Sequence, residues 1–278
     1  MRTEQEMMNL IIGFARADDR VRLVAMNGSR ANPNAPKDTF QDYDIVFLVT
    51  DLESYKADDA WLDWFGKRVI MQKPDAMELF PSKSGNSFAY LMLFEDGNRI
   101  DLTLLPLGEL EHYLTEDSIL KVLLDKDGRV PALPESSDKD YWIKRPTPGM
   151  FDDCCNEFWW LTTYVAKGLA RGELPYANAH LELMRAQLMT MLSWQVGLDE
   201  GFTFSLGKQY KYLQKHVSQQ TWQRLCATWN MVSPTASGGS LDGMLAFFRE
   251  VSRDVAGRMS FAYPDYDEKV SQYLKRTL

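Results

Sequence analysis

The stretch "VAMNGSRANPNAPKDTFQDYDIVFLV", residues 24–49, decides how the first half of this chain folds. It reads as the end of one strand, a small-residue turn at Gly28 and Ser29, a polar connector broken by Pro33 and Pro36, and a second strand, "DYDIVFLV". Successive strand side chains point to opposite faces. Asp42 and Asp44 should therefore emerge side by side from a strand whose Tyr43, Ile45, Val46, Phe47 and Leu48 call for burial. Two adjacent carboxylates repel each other unless something positive sits between them.

Upstream, "EQEMMNLIIGFARADD" carries Met7, Met8, Ile11, Ile12 and Phe14 at helical spacing, followed by the strand "VRLVAMNG". Downstream, "ADDAWLDWFG" reads as a short helix opened by acidic residues, and "RVIMQKP" as a strand stopped by Pro74. "AYLMLF-EDGN-RIDLTLLP" is a hairpin with Asp-Gly in its turn, and "LGELEHYL" starts another helix. These elements predict an α/β domain with a small mixed sheet over residues 1–140. Its boundary falls in the proline- and charge-rich "LPESSDKDYWIKRPTPGM".

Residues 141–278 then read as an all-α helical bundle. "DDCCNEFWWLTTYVAKGLARGE" and "YANAHLELMRAQLMTMLSWQVGL" are long helical patterns. "YKYLQKHV", "QTWQRLCATW" and "LDGMLAFFREVSRDVAGRM" continue the helical character, with "SPTASGGS" as a break. The Trp159-Trp160 pair reads as core between domains, and Met184, Met189 and Met191 as packing.

At 278 residues with 45% hydrophobic content the chain is long enough to build a core in each half. Its net charge of −8 argues against holding a long nucleic acid, which needs clustered Lys and Arg, and favours small cationic partners. Three cysteines make no disulfide framework, and His112, His180 and His216 lack zinc-site spacing. The apolar runs are too short and interrupted to span a membrane, and the N-terminal stretch lacks a signal-peptide pattern. The expectation is a cytoplasmic monomer.

Chemistry concentrates in three pieces. Glycine at 28 lets the backbone approach a phosphate, the Ser29 hydroxyl and nearby N–H groups can bind its oxygens, and paired carboxylates can hold Mg²⁺ against them. In the hairpin Asp101 shares a polar face with Arg99 and Thr103, opposite Ile100, Leu102 and Leu104. "GFTFSLGKQ" is not a phosphate-binding Walker loop: five residues separate Gly201 from Gly207, and Gln209 stands where a hydroxyl should hold the metal.

"GSR", "DYDI" and "RIDLTL" together resemble the nucleotidyltransferase superfamily, with Asp101 as its third acid. "NEFWWLTTYVAKGLARGELPYA", "HLELMRAQLMTMLSW" and "GKQYKYL" resemble the second-domain motifs of its aminoglycoside 6-adenylyltransferase branch, so the likeness covers nearly the full chain. The resemblance implies transfer of AMP from ATP to a hydroxyl of an aminoglycoside such as streptomycin, inactivating the antibiotic. It also implies two Mg²⁺ ions held by Asp42, Asp44 and Asp101. Gly28, Ser29 and Arg30 would contact the phosphates, with Lys208, and less centrally Lys211 on the same helix, supplying positive charge.

Glu182 is the first candidate base for the acceptor hydroxyl, with Asp101 and Glu157 as rivals. Glu157 and Tyr164 lie on a polar stripe that also carries Lys167 and Arg171, and with Glu182 they are candidates to bind the cationic substrate; Asp152 and Asp153 are nearby acids. These residues divide between the two halves, so neither half should act alone. Two other readings stay open: a nucleotidyltransferase of this fold acting on another small molecule or a protein, and a catalytically silent nucleotide-binding module.

Overall fold

The computed structural model describes residues 1–80 and 85–277. It divides into two compact units, Met1–Asp140 and Tyr141–Leu278. The first is built from α1 (Glu4–Ala17), β1 (Val21–Met26), α2 (Gly28–Ala31), β2 (Tyr43–Val49), α3 (Leu52–Lys56), β3 (Arg68–Gln72), β4 (Phe88–Phe94), β5 (Arg99–Pro106), α4 (Leu110–Glu116) and β6 (Lys121–Asp125). Thr3 opens α1 with a reciprocal cap: its hydroxyl accepts from the Glu6 N–H while the Glu6 carboxylate accepts from the Thr3 N–H. Met7, Ile11, Phe14 and Ala15 then bury one stripe of the helix.

Among the described residues six strands form one sheet, in the order β3-β4-β5-β2-β1-β6. β2 runs parallel to β5 while the other pairs are antiparallel, so the sheet is mixed as the sequence implied. β2 lies inside the sheet and is buried on both faces, which explains its nearly unbroken apolar sequence. Tyr43, Ile45, Phe47 and Val49 join the core under α1, whereas Val46 and Leu48 meet Leu110 and Tyr113 of α4. Asp44 shares the Val46 face. The edge strand β6 escaped the sequence reading because "KVLLD" is short, begins and ends on charge, and is half-buried except for the exposed Lys121.

The second unit holds α5 (Pro148–Ala170), α6 (Leu174–Glu200), α7 (Gln219–Ala227), α8 (Pro234–Met259) and α9 (Tyr266–Thr277). Its core draws on Phe158, Trp159, Leu181, Met184, Leu188, Met191, Met244 and Phe248, with the Phe158 and Phe248 rings stacked at 3.7 Å. Two sequence expectations need correction here. "SPTASGGS" is not a break but the opening of α8: Ser233 caps the Ala236 N–H, Pro234 occupies the first turn, and Ser237 and Ser240 are buried. "YKYLQKHV" is not a helix but part of two 3₁₀ turns, Lys208–Tyr210 and Leu213–Lys215, because Gln209 and Tyr210 adopt left-handed backbone conformations. Among the described residues no helix is long and apolar enough to cross a membrane.

Candidate active site

The parallel register of β2 and β5 sets Asp44 directly beside Asp101, on neighbouring strands and one face. Asp42 precedes the first residue of β2 by one position. The positive charge that such acids require is supplied by Arg99, two residues before Asp101 and on the same face. Its guanidinium grips both Asp101 oxygens, at 2.7 and 2.8 Å, while its Nε lies 3.7 Å from an Asp42 oxygen. Burial pushes the Asp42 carboxyl above its ordinary pKa; Arg99 and Arg30 oppose that rise and Asp101 adds to it.

The turn after β1 meets this face from the other side. Asn27 fixes it: its backbone N–H donates to the Asp44 carbonyl, its amide donates to the Ile119 carbonyl, and its side-chain oxygen accepts from the buried Tyr113 hydroxyl at 2.6 Å. Gly28 follows with φ +65°, and a Cβ there would lie 1.9 Å from an Asp44 carboxylate oxygen. The space a side chain would fill is thus taken by a carboxylate.

Ser29 is half-buried beside Gly28, and its carbonyl accepts from the Gln41 amide. Arg30 does not extend free into a phosphate site. Its guanidinium donates twice to the Gln41 carbonyl, stacks 3.9 Å from the Tyr43 ring centre and pairs with Glu4. It ties the glycine turn to the end of the connector, immediately before Asp42.

Gly28, Ser29, Arg30, Asp42, Asp44 and Asp101 are therefore brought together in the first unit. The donor set, carboxylates on adjoining positions with Asp44 packed against a glycine that has no Cβ, fits a hard divalent cation. With Asp101 turned onto Arg99, no three acidic, histidine or cysteine side chains among the described residues converge on one metal position.

In the second unit Glu157 and Tyr164 lie on α5, Glu157 exposed and Tyr164 half-buried. Trp160 stands between them in sequence. It is 57% exposed, whereas its neighbour Trp159 is buried, so the tandem tryptophans divide between surface and core instead of both packing inside. The Trp160 indole donates to the Tyr164 hydroxyl at 2.9 Å, and the Tyr164 ring continues through His180 to Tyr176 on α6. The signal was available in the sequence: three and four residues separate Trp160 from Glu157 and Tyr164, which puts all three on one helix face.

Glu182, also on α6, is apart from that aromatic row in its bonding. Its carboxylate pairs with Arg185, whose buried guanidinium donates to the Thr228 hydroxyl and lies 4.4 Å from the Trp229 ring centre. Lys208 and Lys211 are exposed and do not share a helix; Lys211 rests its ammonium 5.1 Å from the Tyr212 ring centre.

Comparison with known proteins bears on both units at once. The family model for streptomycin adenylyltransferase matches residues 1–277. A relative from Campylobacter jejuni named aminoglycoside 6-adenylyltransferase is 50% identical over 277 residues, covering 99% of this chain and 96% of that protein. One of the same name from Bacillus subtilis (strain 168) is 49% identical over 275 residues, covering 98% and 97%. A crystal structure of an aminoglycoside 6-adenyltransferase from Bacillus subtilis matches with a TM-score of 0.50 at 45% identity, over 100% of this chain and 99% of that one. A pair of acids on parallel strands, one of them packed against Gly28, followed by a helical unit that the same family model spans, leads to one assignment: the chain belongs to the streptomycin adenylyltransferase family.

Proposed function

We propose that this chain, acting as a cytoplasmic monomer, transfers AMP from ATP to the 6-hydroxyl of streptomycin and releases pyrophosphate. The observation that carries the reading is the packing of Asp44 into the Cβ space of Gly28, with Asp101 as its register partner. It supports the reading because a phosphate approaching the glycine turn would meet Asp44, with Asp101 on the neighbouring strand.

Asp42, Asp44 and Asp101 would hold the two Mg²⁺ ions, which when bound supply neutralisation of the triphosphate charge and Lewis-acid help to the attacking hydroxyl. The Gly28-Ser29 turn receives the phosphates through its backbone and the Ser29 hydroxyl. Arg30 ties that turn to the end of the connector, immediately before Asp42. Lys208 and Lys211 are assigned the charge of the leaving pyrophosphate. Glu182 takes the proton from the acceptor hydroxyl, its carboxylate fixed by Arg185.

Acceptor recognition falls to Glu157 and Tyr164, joined by Trp160. Streptomycin's streptidine ring carries two guanidinium groups, planar cations that stack on an exposed indole and pair with a carboxylate fork. Aminoglycosides built on 2-deoxystreptamine present ammonium groups on a different ring pattern and match such a surface less well.

The test is incubation of the purified protein with ATP, Mg²⁺ and a panel of streptomycin, kanamycin and gentamicin, followed by mass spectrometry. Streptomycin should gain the mass of an adenylyl group, with kanamycin and gentamicin poor or inert. Modification of kanamycin at least equal to that of streptomycin would remove the acceptor assignment and leave the transfer chemistry standing.

A further inference from the structure

Arg99 has no part in the reaction just described, yet it occupies the centre of the carboxylate site. Its two-pronged contact uses both oxygens of Asp101, and the same Nε reaches toward Asp42. A carboxylate whose two oxygens both accept from a guanidinium has its charge balanced and its orientation fixed by that fork, so it offers a metal ion less than a free carboxylate does. The arginine side chain is itself 41% exposed, so it has an open route away from the acids, while the half-covered Asp101 and the two-pronged geometry give the pair more weight than a single-contact surface ion pair.

We propose that Arg99 is the resident cation of this site, a gate that a divalent ion must displace from Asp101 before the acids can hold it. The inference rests on the reading that Asp42, Asp44 and Asp101 bind the metal. Without nucleotide, Arg99 balances the acids and an arriving ion gains them only by breaking the fork. With ATP bound, the phosphate oxygens offer the guanidinium a new bidentate partner, and Asp101 is released. Metal and nucleotide therefore bind cooperatively, and a metal ion alone binds weakly. This makes Arg99 a positioning residue: it acts through Asp101.

Mn²⁺ binding to the full chain, followed by electron paramagnetic resonance without nucleotide, tests the gate directly. Arg99→Ala should bind Mn²⁺ at least tenfold more tightly than the wild type. Arg99→Lys, which restores the charge, should return affinity toward the wild-type value. Should Arg99→Ala fail to fold by circular dichroism, Arg99→Gln takes its place with the same expected tightening. A non-hydrolysable ATP analogue should then enhance Mn²⁺ binding far more in the wild type than in the neutral variant. Unchanged or weaker Mn²⁺ binding in both neutral variants overturns the gate. Asp44→Asn separates the two levels of argument. If that variant still binds Mn²⁺ normally, the metal assignment falls and the gate with it. If it abolishes binding while the neutral variants do not tighten it, the gate alone falls.

Discussion

Gly28→Ala puts the glycine cradle to the test with a single methyl group. The added Cβ would sit 1.9 Å from the Asp44 oxygen, while real Cβ contacts essentially never close below 3.0 Å, so the carboxylate must retreat by about 1 Å. The backbone at φ +65° adds the left-handed cost of roughly 1–2 kcal/mol. A 1 Å misplacement of a group that positions reactants costs on the order of 100-fold in rate. Adenylyl transfer should therefore fall by about two orders of magnitude in kcat/KM, and Tm by roughly 3–8 °C for a unit of this size. Gly128→Ala is the matched comparison, because Gly128 has the same φ and nothing lies within 4 Å of its would-be Cβ. It should lower Tm similarly and leave turnover near the wild-type value. The assay is steady-state transfer with melting curves of both variants. Wild-type kcat/KM in Gly28→Ala, or equal losses in the two variants, would refute the reasoning.

Three further outcomes are expected. Glu182→Gln should lower kcat more than it weakens ATP binding, since its assigned role is proton removal; parallel titration and turnover measurements read the split, and a pure ATP-affinity loss would contradict it. Asp267→Asn should cost about 2–3 kcal/mol, because the carboxylate is almost fully buried and accepts from Arg249, Tyr263 and Ser271, with Arg249 left part-exposed. Burial works to raise the Asp267 carboxyl, but the hydrogen bonds from Arg249 and Tyr263 outweigh it and hold its pKa below the ordinary value. Its stabilisation is accordingly full above the unfolded carboxylate range and lost as pH falls through the lowered folded pKa. Acid melting of the wild type should show this loss below about pH 4, and Asp267→Asn should lack it. Iodoacetamide should label the exposed Cys226 in the native protein and spare Cys154 and Cys155, whose burial pushes the former up to about 12 and the latter further; native labelling of either buried thiol counts against the packing of α5.

The first unit was legible in the sequence because its site depends on local rules: alternation along a strand, an Asp-Gly turn, a glycine after a strand. Period-two alternation placed Asp101 with Arg99 and Thr103, and β5 buries Ile100, Leu102 and Leu104 on the opposite face. What alternation cannot give is which strand lies beside which. The parallel pairing that sets Asp44 against Asp101 depends on β3 and β4 intervening in the sequence between β2 and β5, a nonlocal arrangement that leaves no periodic trace. In the second unit, small polar residues misled the reading of "SPTASGGS", because serine and glycine favour turns in isolation and here a serine cap and close helix packing prevail. The helix expected to carry both Lys208 and Lys211 fails for the opposite reason: "YKYLQKHV" is rich enough in helix formers to look helical, yet left-handed residues at 209 and 210 interrupt the chain between the two lysines.

Arg99 shows where sequence reasoning stopped one step short. Two carboxylates side by side require a cation, and the metal implied by the resemblance satisfied that demand so fully that an arginine two residues from Asp101 was not asked to. The structure separates the two demands. A site that would hold divalent ions must also be stable before they bind, and the repulsion between Asp42 and Asp101 is then met by the protein itself. An arginine at the i−2 position of a strand is suited to this, because it shares the face of the acid, its fork matches a carboxylate, and its long side chain can leave without disturbing the sheet. On the proposed reading, the same fork that balances the acids would oppose an arriving ion, so its strength would set how far metal binding depends on nucleotide.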